Sequence, residues 1–242
     1  MPRRKKAEIE NSQEIEKIIT SLSKTKIKLK KIDFSEKQRE LLKIIFDKDT
    51  KIVFVSGPAG TSKTFMAIYG ALQLFNMDNN YTISYIRTII ESAERGMGAL
   101  PGNVDEKFCP FMMPLTDKLY ELMSASDASF LTEKQIISAM PINYLRGASF
   151  KDQIIIADES QNFSPKELIT LITRIGENTK MIICGDPMQS DINGKSGFNV
   201  IKNLFADSPS AKQGIHTFDF DYKDIKRSEI LKYIVKKLEE LS

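Results

Sequence analysis

The chain has 242 residues, 41% of them hydrophobic and 28% charged, the balance of an ordinary globular protein with room for one large or two small domains. Two cysteines and a single histidine exclude a disulfide framework, a zinc site and a multi-histidine metal centre, and no apolar run approaches the roughly 18 residues of a membrane span. The net charge of +3 is unevenly spread: residues 1–31 carry ten Lys or Arg against four Glu, a net +6 that leaves the remainder at −3.

That basic arm, residues 1–32, suits an anionic partner such as nucleic acid, or serves only as a solvated tail. Its first six residues have no apolar segment behind them, so no secretory signal is expected and a reducing cytoplasm is. Over residues 7–22, Ile9, Ile15, Ile18, Ile19 and Leu22 recur at roughly helical spacing. Residues 24–31 alternate Lys with Thr, Ile and Leu and fit a strand or an extended linker equally. Asp33 or Ser35 can cap a helix running to about Asp47. Gln38 within it can both donate to and accept from an adenine edge, although a surface Gln needs no ligand at all.

Residues 52–56 read as a short buried strand. Gly57, Pro58, Ala59, Gly60, Thr61, Ser62, Lys63 and Thr64 follow, and an apolar run from Phe65 opens a helix. Strand, glycine-rich turn, lysine, hydroxyl and helix make up a phosphate-binding loop. Gly57 and Gly60 let the backbone curl so that successive N–H groups face an anion. The helix adds its positive end. Lys63 can reach the β- and γ-phosphates, and the Thr64 hydroxyl can ligate Mg²⁺. The strict pattern has Gly where Ser62 stands, and the plain alternative is a glycine-rich turn without a ligand.

A second strand is expected over 81–87. Residues 88–135 hold no clear strand; 91–102 is a long glycine-containing loop of a kind usually functional or mobile, and a helix follows at about 114–123. Residues 141–147 read as a third strand ending in Arg146 and Gly147. Residues 153–157 read as a central strand of a parallel sheet, with Asp158 and Glu159 at its C-terminal end, where open α/β sheets bind ligands. Asp158 suits a hold on Mg²⁺ and Glu159 the activation of an attacking water. Two acids after a strand also suit the start of a helix, and one is expected from Pro165 to about Ile175, carrying Arg174.

The next strand, 180–184, runs into Gly185, Asp186, Pro187 and Gln189, a Gln placed to contact a γ-phosphate. A helix near 198–205, a strand near 217–220 and a last helix at about 228–241 complete the chain. In that helix Ile230, Leu231, Ile234, Val235, Leu238 and Leu241 form an apolar stripe expected in the core. His216 is expected to be structural. Strands alternating with helices over 33–242 give one α/β domain, a mostly parallel central sheet flanked by helices.

Together these motifs resemble the PhoH family, ATPases related to the first core domain of superfamily 1 helicases. The resemblance is carried by Gly57 to Thr64, Arg87 with the 91–102 segment, Asn143 to Gly147, Asp158 to Asn162, Thr173 to Gly176, and Gly185 to Gln189. It implies a RecA-like P-loop NTPase domain that binds ATP and Mg²⁺ and couples hydrolysis to remodelling of, or movement on, RNA or single-stranded nucleic acid. It implies Gln38 as the adenine contact, Gly57 to Thr64 as the phosphate cradle with Lys63 and Thr64 central, Asp158 as the Mg²⁺ carboxylate, Glu159 as the catalytic one and Gln189 as the γ-phosphate sensor. Ser62 and Ser160 stand where the family usually has Gly and Ala. The element near the end, residues 224–228, keeps Arg227 and lacks a His.

Helicases of that superfamily close ATP between two core domains, and this chain has one. An arginine finger is therefore expected from a neighbouring copy in a homo-oligomeric ring, a hexamer, with Arg146, Arg174 or Arg227 as the candidates. Two other classes use the same loop: a small-molecule phosphotransferase, and a nucleotide-gated binding module with little turnover, which Ser62 keeps open. No leftover acidic cluster points to an intrinsic nuclease.

Overall fold

The computed structural model describes residues 26–88, 104–145, 149–192, 196–226 and 228–239. The helix expected over 7–22, the 91–102 loop, Arg146, Gly147 and Arg227 lie outside them. In chain order the elements are α1 (Glu36–Phe46), β1 (Ile52–Ser56), α2 (Lys63–Met77), β2 (Thr82–Arg87), α3 (Val104–Leu122), α4 (Ala125–Glu133), β3 (Ile137–Pro141), β4 (Gln153–Ala157), α5 (Pro165–Ile172), β5 (Thr179–Gly185), α6 (Phe198–Leu204), α7 (Ser208–Lys212), β6 (Ile215–Asp219) and α8 (Glu229–Glu239).

The strands form one sheet in the order β3-β2-β4-β5-β1-β6, every neighbouring pair parallel. Helices cover both faces, which is why β1 and β5 are buried along their whole length. Val53 and Val55 of β1 face a core built with Leu41 and Ile45 of α1, Met66 and Phe75 of α2, and Leu119 of α3. Ile52 and Phe54 face the opposite core, with Phe163, Leu168 and Leu171 on the α5 side and Phe198 of α6.

Local chemistry sets the helix starts. Ser35 caps α1: its hydroxyl accepts from the Gln38 N–H, and Gln38 Oε1 accepts from the Ser35 N–H at 3.0 Å. Ser164 and Glu167 repeat the device at α5, with Pro165 in its first turn. That helix stops at Ile172, short of Ile175, because the chain turns to pair with the 149–152 segment, where the Phe150 N–H donates to Arg174 O at 2.9 Å.

Other boundaries differ from the sequence reading. The third strand is Ile137–Pro141, and Ile142–Tyr144 is a 3₁₀ turn. Pro141 cannot extend the ladder, and the small and polar residues before it hide an edge strand. Helix α3 begins at Val104, ten residues before the expected start, and runs through Pro110 and Pro114, which read as breakers in isolation. The short helices α4 and α7 carry no periodic signal; their caps, Ser124 and Asp207, are what mark them.

The apolar stripe of the last helix is not core. Val235 is buried and Leu231 half-buried, but Ile230, Ile234 and Leu238 are exposed. The helix comes after the edge strand β6, and among the described residues nothing follows to cover its outer side. The described part of the arm does pack on the body. Ile27 is buried, and its backbone N–H and C=O both bond the Asn76 side chain, at 2.8 and 2.9 Å. Residues 26–32 form no strand. Among the described residues no helix is long and apolar enough to cross a membrane.

Candidate phosphate-binding site

Strand order places the site. Strand β5 lies between β1 and β4, so the three C-terminal ends meet on one rim, as parallel sheets present them. The loop 57–62 leaves β1, Asp158 and Glu159 leave β4, and the 186–189 turn leaves β5. They line a cleft of about 550 Å³, whose other end is formed by Ile32, Phe34 and Gln38.

The loop is held from below by the C-terminal segment. The Phe220 N–H donates to Ser56 O at 2.8 Å and the Lys226 N–H to Gly60 O at 3.1 Å. Phe220 also packs so close that a Cβ on Gly57 would lie 2.7 Å from its Cβ, and Gly57 itself sits at φ +153°. Gly60 lies at φ +86°. Ser62 is in the left-handed region (φ 69°, ψ 26°) and makes no side-chain cap for α2. A non-glycine residue there carries a strain of roughly 1–2 kcal/mol. Ser62→Gly should therefore stabilise the fold by about 1 kcal/mol and raise the melting temperature by about 2–4 °C. An unchanged or lower midpoint in thermal unfolding would contradict the strain.

Lys63 folds back on its own loop, its Nζ donating to Gly57 O at 2.6 Å and Pro58 O at 3.0 Å. Burial pushes its ammonium below the ordinary lysine range, against the pull of the nearby Asp186, Glu159 and Asp158 carboxylates. The Thr64 hydroxyl donates to Asp158 Oδ1 at 2.7 Å. The other oxygen, Oδ2, accepts from the Tyr85 hydroxyl at 2.5 Å. Burial, then the Asp158 charge, push that phenol well above its usual range, so Tyr85 stays a donor. A hydroxyl and a buried carboxylate oxygen, side by side at the phosphate loop, are the hard donors that Mg²⁺ takes from a protein when nucleotide phosphates complete its shell. Thr64 and Asp158 therefore fit that ion.

Glu159 adopts φ 52°, ψ 39°, a second strained position at the site. Its carboxylate is gripped from both sides: Gln161 Nε2 donates to Oε2 at 2.6 Å, and the Arg87 guanidinium lies 3.7 Å from Oε1. Gln161 is buried and ties the rim together, accepting from the Asp186 N–H at 2.9 Å while its amide reaches Gln189 O at 3.3 Å. Asp186 is buried beside Lys63; burial raises its carboxyl, and Lys63 opposes that rise.

Lys63, Thr64, Asp158, Glu159, Gln189 and Gln38 all come to this cleft, together with Ala59, Gly60 and Ser62. Thr61 is buried beneath the loop, its hydroxyl donating to Pro58 O. Arg174 is not brought to the cleft of its own chain; it lines a groove at the β3 edge. Sequence reasoning passed over Tyr85, Gln161 and Asp186. Gln161 and Asp186 stand inside motifs already singled out, beside more conspicuous neighbours. Tyr85 gives no signal, being one aromatic residue in an apolar strand.

The family model for PhoH-like proteins matches residues 31–239. The chain belongs to the PhoH family. Over 190 residues it is 34% identical to a PhoH-like protein of Bacillus subtilis, covering 78% of this chain and 58% of that one. A PhoH-like protein of Synechocystis is 33% identical over 205 residues, 84% of this chain and 60% of that one. The chain thus spans about three-fifths of the length of these two PhoH relatives. Among solved structures, the Pif1 helicase of Candida albicans matches at 15% identity and a TM-score of 0.40, over 79% of this chain and 40% of that one. This PhoH chain is a nucleotide-binding P-loop protein by its family and by its loop.

Proposed function

We propose that this PhoH chain is a Mg²⁺-dependent ATPase that couples hydrolysis to remodelling of, or movement on, RNA or single-stranded nucleic acid, in the cytoplasm. The observation that carries the reading is the Thr64–Asp158 contact of 2.7 Å with Glu159 next in the chain. It joins a phosphate loop, a metal carboxylate and a base at one rim. Gly57 to Thr64 wrap the phosphates, Lys63 leaves its loop carbonyls for the β- and γ-oxygens, and Gln38 meets the adenine. Bound Mg²⁺ supplies neutralisation of charge on the β- and γ-phosphate oxygens. Glu159, aimed by Arg87 and Gln161, takes the proton of the attacking water. Gln189, tied to Gln161 through its carbonyl, reports the γ-phosphate.

The arginine that completes the site comes from a neighbouring copy, in a ring read as a hexamer. An arginine supplied in trans accelerates hydrolysis by about 10³–10⁵. The test is ATP hydrolysis by the purified protein, alone and with single-stranded RNA or DNA, with its mass in solution measured alongside. Turnover that rises with nucleic acid and tracks an oligomer is the expected result. Full turnover by a monomer would remove the ring, and turnover indifferent to nucleic acid would remove the coupling.

Tyr85→Phe offers a sharper probe of the metal. It deletes the hydrogen bond to Asp158 Oδ2 and little else, and should weaken apparent Mg²⁺ affinity by about 10–100-fold. A Mg²⁺ titration of turnover reads this directly; an unshifted curve would detach Tyr85 from the metal site.

The strain at Ser62 favours one other reading, a nucleotide-gated binding module with little turnover. Nucleotide binding without hydrolysis, restored to hydrolysis by Ser62→Gly, would select it.

A further inference from the structure

A second groove, about 620 Å³, runs along the β3 edge of the sheet, away from the phosphate cleft. Strand β3 ends the sheet and pairs with β2 alone, so the groove is bordered by a strand whose outer side has no partner strand. Its floor is polar, which is unusual for a sheet face under helices. Ser84 lies there, only 5% exposed, with Ser138 beside it. Gln153 opens β4 in the same groove, and its Oε1 is buried without a hydrogen-bond donor. An acceptor left in that state destabilises the protein by about 1–3 kcal/mol, and a ligand donor would remove the deficit. Arg174 contributes a guanidinium to the wall, and no carboxylate lines the groove. Tyr144 stands at its edge, 63% exposed.

We infer that this groove holds a nucleotide unit of single-stranded nucleic acid, its base on Tyr144 and donating to Gln153, its phosphate toward Arg174. One nucleotide carries all three features that the groove calls for: a flat face, a hydrogen-bond donor and a negative charge. The open edge of β3 lets a polymer enter and leave. An added peptide strand would use the β3 backbone and leave Gln153 unsatisfied, and Pro141 ends that ladder after five residues. The inference rests on the nucleic-acid reading above and gives it a place. The groove spans the beginnings of β2 and β4, whose far ends carry Arg87 and Asp158, so both sites share two rigid strands. It also assigns Arg174 to the strand path, leaving Arg146 and Arg227 for the neighbour's cleft.

The test measures binding of a labelled 12-nucleotide oligouridine RNA by anisotropy to the wild type, Gln153→Leu and Tyr144→Ala. Each substitution should weaken RNA binding about tenfold and leave the affinity for a non-hydrolysable ATP analogue unchanged. Gln153→Leu should melt at the same temperature or higher, since it removes an unsatisfied acceptor. Tyr144→Ala, at an exposed position, serves if the first variant does not fold. Hydrogen exchange should slow over residues 137–141 when RNA is added. RNA binding with wild-type affinity in both variants, or protection confined to other segments, overturns the groove alone. Protection of 137–141 by uridine monophosphate as strong as by the oligomer would make it a free-nucleotide site and overturns the assignment. A wild type that hydrolyses ATP and binds no oligomer overturns the nucleic-acid reading and the groove together.

Discussion

Glu159→Gln should lower ATP turnover by about 10²–10⁴-fold, the share that a positioned general base supplies, with nucleotide affinity nearly unchanged. The change is small in shape. Gln161 Nε2 still finds an oxygen at the position of Oε2, 2.6 Å away in the native arrangement, because the new amide can turn its carbonyl that way. The ability to take a proton is lost. Arg87 loses one charged partner 3.7 Å away but keeps Asp158 at 4.0 Å, so the rim retains its geometry. Steady-state hydrolysis and binding of a fluorescent nucleotide, measured on the same preparation, separate the two quantities. Turnover within a few-fold of the wild type would mean that water is activated elsewhere, and the proposed chemistry would have to be redrawn around another carboxylate.

Lys63→Ala should reduce turnover by about 10²–10³-fold, the effect of removing one donor aimed at developing phosphoryl charge, and should weaken nucleotide binding as well. In the free protein the ammonium rests on Gly57 O and Pro58 O, both on the loop that leaves β1. Its loss therefore leaves the sheet intact, and the melting temperature should move little. A second consequence has a definite sign. Burial already raises the Asp186 carboxyl and Lys63 opposes that rise. Without the lysine the carboxyl should titrate at still higher pH. Any pH dependence of nucleotide binding that comes from Asp186 should then shift upward in the variant, by comparison of binding curves taken across pH. Nucleotide binding at native strength in Lys63→Ala would contradict the placement of Lys63 on the phosphates.

Most of the phosphate site was legible in the chain because its chemistry is local. Residues 57–64 must be contiguous for successive N–H groups to face one anion, and Asp158 and Glu159 must follow directly on a buried strand. Such patterns survive without knowledge of packing. Ser62 was also legible as an oddity, and its φ of 69° gives the oddity a physical meaning: the position demands a left-handed backbone whatever residue occupies it. Helix α3 was half legible, since Pro110 and Pro114 argue against a helix that packing sustains through both. The stripe on α8 was misplaced, because amphipathic spacing reports a face to be covered and says nothing about whether the chain covers it.

The sequence by itself determined the class of fold, the phosphate loop, the two acids and the order of strands along the chain. Those follow from periodicity and from residue types a few positions apart. Only the tertiary structure decided how the strands lie side by side, and with that which distant residues meet. Inserting β5 between β1 and β4 brings Thr64 to Asp158 across 94 positions. Pairing β2 with β4 brings Tyr85 to the same carboxylate across 73. Leaving β3 at the edge opens the groove in which Gln153 lacks a donor. Strand order is set by the summed burial of two faces, a long-range quantity that no local spacing encodes.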